Sequence, residues 1–172
     1  DRLEHQLAKA DPVRFDRFLA MLDRSGIDLE AHAKRGATLF VVPDAAFEAL
    51  PEPERAALAD PDNREALRRL LDYHLVHHPV PVNRVAMRVL GDDLVYDVIS
   101  NGAVYLYRSP RGSGRDAQPF QARVVAGPVR VADGLSLQVI DRFLVPHDLE
   151  GVLLNPDPVD RETVRSEEHT SE

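Results

Sequence analysis

The stretch DYHLVHHP, Asp72 to Pro79, holds three histidines, a tyrosine and an acid in eight residues. Neutral imidazole is the commonest metal ligand among side chains and titrates nearest to neutral pH, so metal binding or proton transfer is the first chemistry to weigh. A zinc centre on His74, His77 and His78 would need further ligands, and no second cluster of His, Asp or Glu supplies them; the chain has no cysteine to offer a thiolate. His74 also falls on one helical face with Ala66, Leu67, Leu70 and Leu71, where a buried imidazole needs hydrogen-bond partners but no ion. The spacing therefore favours a structural histidine at a helix end. A metal-binding protein or metal-dependent enzyme built on His74, His77 and His78 stands as the alternative.

Other chemistries find less support. Ser100, Ser109, Ser113 and Ser136 lack a Gly-x-Ser-x-Gly frame, and RGSGR lacks both the spacing and the following helix of a phosphate loop. Asp92, Asp93 and Asp141 read as solvated carboxylates at strand ends rather than an acid–base pair. No enzyme activity and no cofactor is expected. Arg108, Arg111 and Arg115 lie in RSPRGSGRDAQP, residues 108–119, which reads as an exposed hairpin loop. On a chain of net charge −8 they make a local positive spot, able to grip a sulfate, carboxylate or uronic-acid polymer, against the plainer reading of ordinary solubility charges. The acidic balance argues against nucleic acid as a partner, and no apolar run approaches the ~18 residues of a membrane span.

The elements that must position these residues change character midway. Phe15, Phe18, Leu19 and Leu22 mark an amphipathic helix with Asp11 as its cap, Pro12 just inside and Gly26 beyond its end. TLFVV reads as a buried strand stopped by Pro43, and DAAFEAL as a helix capped by Asp44. PEPERAALADP holds a short helix, and DNREALRRLLDYHL a longer one behind Asp62 or Asn63. From Val80 onward the runs VNRVAMRVLG, DLVYDVIS, AVYLYRS, QARVVAGPVRVA and LSLQVIDRFLV read as strands, with a tight turn at Asn101-Gly102. Helices first, then strands without crossover helices, predict an α+β fold on an antiparallel or mixed sheet. After Pro146, HDLEGVLLNPDPVDRETV carries a small apolar cluster able to dock on the domain.

Three motifs in order resemble the fasciclin (FAS1) domain: TLFVVPDAAF from Thr38 to Phe47, the Tyr73-His74 pair ending a helix, and VIDRFLVP from Val139 to Pro146. The resemblance implies one wedge-like, β-sandwich-like α+β domain over 11–147, an extension or linker over 148–164, and structural roles for Thr38, Phe40, Asp44, Phe47, Tyr73, His74, Ile140, Asp141 and Pro146. The chain departs from the family pattern at Val42-Pro43, where relatives carry Pro-Thr, and in DGLSLQ, where Gly134 and Gln138 answer Asn-Gly-x-x-His. The resemblance further implies a non-enzymatic adhesion or interaction module of an extracytoplasmic protein (secreted, periplasmic or cell-surface), whose partner is a cell-surface or matrix protein or a polysaccharide. An Arg- and Ala-rich, Lys-poor composition suggests a high-GC bacterial source. The last eight residues, RSEEHTSE over 165–172, resemble translated sequencing-adapter read-through and are expected to be non-native. A small-ligand binder with a pocket between helices and sheet is a further reading, for which the sequence shows no convergent polar groups.

Overall fold

The amphipathic run forms α1, Asp16–Ser25, which buries Phe18, Met21 and Leu22 and ends at Gly26 in the left-handed conformation. The computed structural model describes residues 14–77, 87–91, 94–98, 103–108, 121–157 and 159. Asp11, Pro12, His78, Asp92, Asp93, Asn101, Gly102, Ser100, Ser109, Ser113, Arg111, Arg115 and the tail over 165–172 lie outside the described residues, as does the 108–119 loop beyond Arg108.

The start of α1 corrects one expectation. Its N-cap position is Phe15, which offers no side-chain acceptor. Asp44 takes that role from a distant part of the chain: its Oδ1 accepts from the Arg17 N–H at 2.9 Å, and its own N–H donates to the Arg14 carbonyl at 2.8 Å. Asp44 was expected to cap α3, Asp44–Glu48, but that helix has Pro43 at its N-cap position and no side-chain cap. A carboxylate at the positive end of α1 is favoured by the helix dipole and fills an orphan donor. Asp44→Ala is expected to cost about 1 kcal/mol; an unchanged urea midpoint would contradict the cross-chain cap.

A short helix, α2 over Leu29–Arg35, follows with no buried residue. Lacking an apolar stripe, it leaves no periodic signal; its Asp28 cap accepts from Ala31 N–H at 3.2 Å. After α4, Glu52–Ala59, neither Asp62 nor Asn63 caps α5, Arg64–Tyr73. Asn63 instead donates through Nδ2 to the Ala57 carbonyl at 3.0 Å, tying the end of α4, while Asp60 accepts from Asp62 N–H. Leu67, Leu70 and Leu71 of α5 pack against α1, as the apolar spacing predicts.

All seven described strands form one sheet in the order β2-β1-β7-β6-β5-β4-β3. They are β1 Ala37–Val41, β2 Leu75–Val76, β3 Met87–Gly91, β4 Leu94–Val98, β5 Val104–Arg108, β6 Ala122–Ala132 and β7 Leu135–Ile140. β1 pairs in parallel with β7, and every other pairing is antiparallel, so the sheet is mixed and the fold α+β. Every residue of β1 is buried, which is why TLFVV reads as a continuous apolar run rather than an alternation. Strand alternation divides β5 between two faces: Leu106 joins the main core under the helices, while Tyr105 and Tyr107 join Val95 in a small cluster on the opposite face, against which Val159 packs. At the β6–β7 turn Gly134 has φ of 81°, and a Cβ there would overlap the Ala33 carbonyl at the end of α2.

The closing motif is not strand throughout. β7 stops at Ile140, and residues 141–146 run as a loop whose Phe143, Leu144 and Val145 are buried. Beyond it, the 3₁₀ turn His147–Leu149 and the following residues put Leu149, Leu153 and Leu154 into the main core.

Candidate functional site

His74 sits at the C-terminal end of α5, fully buried, and both ring nitrogens are engaged inside the protein. Nδ1 lies 2.7 Å from the Leu70 carbonyl one turn back, and Nε2 accepts from the Leu144 N–H at 3.0 Å. Because Leu144 donates, Nε2 carries no proton, so the ring is the neutral Nδ1–H tautomer donating to Leu70. The His74 carbonyl accepts from the Phe40 N–H at 2.8 Å, and the rings of Phe18 and Phe143 meet the imidazole edge-on with centroids 6.0 and 5.8 Å away. One residue thus joins α5, α1, β1 and the closing loop. Burial lowers its pKa to about 4, against a smaller raising effect of the Leu70 hydrogen bond. A proton on Nε2 would face the Leu144 N–H, donor against donor.

The rest of the cluster points elsewhere. His77 is exposed, its Nε2 3.9 Å from Asp72 Oδ1 and its ring 4.8 Å from that of His32. Burial lowers the His32 pKa first, and the neighbouring His77 lowers it further. His74 and His77 are therefore not brought together, and among the described residues no group of three His, Asp or Glu side chains is placed to hold a metal ion. Tyr73 is buried beneath the Arg69 guanidinium, 5.7 Å from its ring centroid.

The other motif residues form the frame around this histidine. Thr38, Phe40, Phe47 and Ile140 are buried, and Phe47 meets Phe143 edge-on at 4.9 Å. Asp141 accepts from the Arg123 N–H at 2.9 Å and from Arg142, closing the end of β7 onto β6. Pro146 is buried and leads into the 3₁₀ turn. Side chains satisfy the backbone in the middle of the closing loop: His74 takes Leu144 N–H, while Gln121 accepts from Val145 N–H at 2.8 Å and donates to its carbonyl at 3.4 Å. Gln121 is a structural residue that sequence reasoning missed, since a lone glutamine carries no periodic signal.

A family model for the fasciclin domain matches residues 13–146. The chain belongs to the fasciclin family. Fasciclin domains are generally adhesion or interaction modules, typically non-enzymatic, and the family is usually extracellular or secreted. No curated protein matches the chain. Among the described residues of this fasciclin domain, no helix is long and apolar enough to cross a membrane.

Arg108 is not a loop-surface residue. As the last residue of β5 it follows Val104 and Leu106 onto the core face and is 6% exposed. Its guanidinium donates to Glu150 at 3.0 Å and to the Val145 carbonyl at 3.4 Å, and lies 3.2 Å from His147 Nδ1. The period-two alternation of VYLYR was the signal that places it inward. A cleft of about 540 Å3 lies between α3–α4 and the C-terminal segment, but its charges are spent internally: Glu54 accepts from Asn155 N–H at 2.6 Å, and Arg142 binds Asp141 and the Asp157 carbonyl.

Proposed function

We propose that this fasciclin domain is a non-enzymatic adhesion or interaction module of an extracytoplasmic protein (secreted, periplasmic or cell-surface), binding a cell-surface or matrix protein or a polysaccharide. The observation that carries the reading is the family match over 13–146, joined to a motif histidine whose two nitrogens are both consumed by backbone groups. A side chain so engaged has no free lone pair for a metal and no accessible proton to transfer.

The candidate contact surface is the positively charged 108–119 loop. Arg108 is buried and tied to the exposed Glu150, so binding of an external anion by it would require breaking that pair and moving a buried guanidinium. The role falls to Arg111 and Arg115, which would hold sulfate or carboxylate groups by charge-assisted hydrogen bonds. Replacing both with Ser is expected to weaken retention on an immobilised acidic polysaccharide, at near-physiological salt and with chelator present, by about tenfold. Unchanged retention would remove the loop from the contact surface, and no retention of either protein on any acidic polysaccharide, matrix protein or envelope fraction would count against the module itself.

A further inference from the structure

The chain beyond the family match, which ends at Pro146, stays part of the domain. Leu149, Leu153 and Leu154 fill the main core, and polar ties hold the segment 147–157 to α5, β5, α4 and the closing loop. Asp148 accepts from Arg69 of α5 at 3.2 and 3.4 Å, and Glu150 accepts from Arg108 at the end of β5. The Asn155 N–H donates to Glu54 of α4, and Arg142 donates to the Asp157 carbonyl. Backbone bonds close the segment on itself: Gly151 N–H donates to the Leu154 carbonyl, and Leu153 N–H to the Leu149 carbonyl.

The tie at Arg108 differs from the others because its cation is buried. The side chain is 7% exposed, and Nε has no hydrogen-bond partner among the described residues. Glu150 meets the charge at 3.0 Å, and His147 Nδ1 lies 3.2 Å from the same Nη1. A guanidinium can only donate, so Nδ1 is the acceptor and the His147 ring is neutral, with its proton on Nε2.

Protonating that ring reverses the contact. Nδ1 would then carry a hydrogen facing Nη1, donor against donor, and two cations would share one carboxylate. Glu150 Oε2 is 3.9 Å from Nδ1, near enough to turn from Arg108 toward a charged imidazole. A buried guanidinium that loses its counter-charge is destabilised far more than an exposed pair that separates. The side chains of His147 and Glu150 are 38% and 40% exposed, so protons reach them without unfolding. The segment's other charged contacts set no cation against a buried one: Asp148 and Arg69 form a solvated pair, Glu54 accepts from a backbone N–H, and Asp157 holds Arg142 through its carbonyl and a solvated carboxylate.

We propose that Arg108, His147 and Glu150 form an acid-sensitive latch, closed at neutral pH, that loosens the segment 147–157 from the domain when His147 is protonated. Opening lifts Leu149, Leu153 and Leu154 from their seats while the sheet and the α1–α5 pair stay folded. The latch is independent of the adhesion reading and of Arg111 and Arg115.

Amide hydrogen exchange of the whole chain at pH 7 and pH 5.5, corrected for the intrinsic effect of pH on exchange, tests the latch. The amides of Leu149 to Asn155 are expected to be protected at pH 7 and to exchange about tenfold faster at pH 5.5, while those of β1 and α5 remain slow. His147→Asn puts an oxygen acceptor near the place of Nδ1 and has nothing to protonate there; its segment is expected to stay protected at both pH values. Glu150→Gln removes the counter-charge of the buried guanidinium and is expected to open the segment already at pH 7. His74 is present in the parent and in His147→Asn alike, so their difference reports His147. Equal protection of the parent's segment at both pH values is what a ring that merely turns into solvent would give, and it would overturn the proposal. So would equal loosening in His147→Asn, a Glu150→Gln segment as protected as the parent's at pH 7, or a loss of protection spread evenly over β1 and α5.

Discussion

His74→Ala is expected to lower the unfolding free energy by about 4 kcal/mol, because it empties a ring-sized space and strips the partner from two buried backbone groups. The lost contacts are the Leu70 carbonyl, the Leu144 N–H and the edge-on rings of Phe18 and Phe143. For a domain whose whole stability is about 5–15 kcal/mol, that is a large fraction. His74→Phe separates the two causes. It keeps an aromatic ring in the space but orphans both backbone groups, and is expected to cost about 2–4 kcal/mol by itself. Equilibrium urea unfolding of both variants gives the comparison. A His74→Phe protein as stable as the parent would mean that packing alone, rather than the two hydrogen bonds, fastens the closing loop.

Stability should also fall steeply with acid through the same residue. The folded-state pKa of His74 is lowered from 6.5 to about 4. Between these values the unfolded chain binds a proton that the folded protein refuses, so the contribution of His74 is complete above pH 6.5 and is lost as pH falls toward 4. A depression of that size corresponds to about 3 kcal/mol. His32, also lowered, acts in the same direction but is mostly solvated and adds less. Carboxylates lose their partners in the same range, so the discriminating quantity is the difference between the parent and His74→Phe. That gap is expected to shrink between pH 7 and pH 4.5, since the variant has no imidazole to protonate. A constant gap would show that His74 titrates normally in the folded protein.

These two expectations mark what the sequence made legible. The i to i+4 spacing of Leu70 and His74 on an apolar face places the histidine inside, and the continuous apolar run of β1 announces a strand covered on both faces. The α1 and α5 helices followed from their stripes. What stayed hidden depends on partners far apart in the chain. The bond from Leu144 to His74 spans 70 residues, and the one from Arg17 to Asp44 spans 27; neither leaves a periodic trace. Asp44 stood where a local cap belongs, so the short-range rule assigned it to its own helix. Arg108 was misread differently. Its residue type and its neighbours suggested a loop, while the alternation of β5 already pointed it toward Glu150.

The departure of this chain at Gln138 has a similar lesson. From the sequence it is one amide in a strand, yet the fold sets it opposite Phe40 and within hydrogen-bond reach of the Tyr96 hydroxyl, with its Nε2 left without a partner among the described residues. With both nitrogens of His74 held by backbone groups, the reading of the histidine-rich stretch of this fasciclin domain shifts from metal chemistry to architecture.

The most direct measurement of that shift is the ring-nitrogen NMR spectrum of His74, recorded from pH 7 to pH 5 with and without added zinc. A neutral Nδ1–H tautomer that neither titrates across that range nor responds to zinc is the predicted result. An imidazole that protonates near 6.5, or whose nitrogen signals move on stoichiometric zinc, would contradict a purely architectural His74 and return the cluster to metal or proton chemistry.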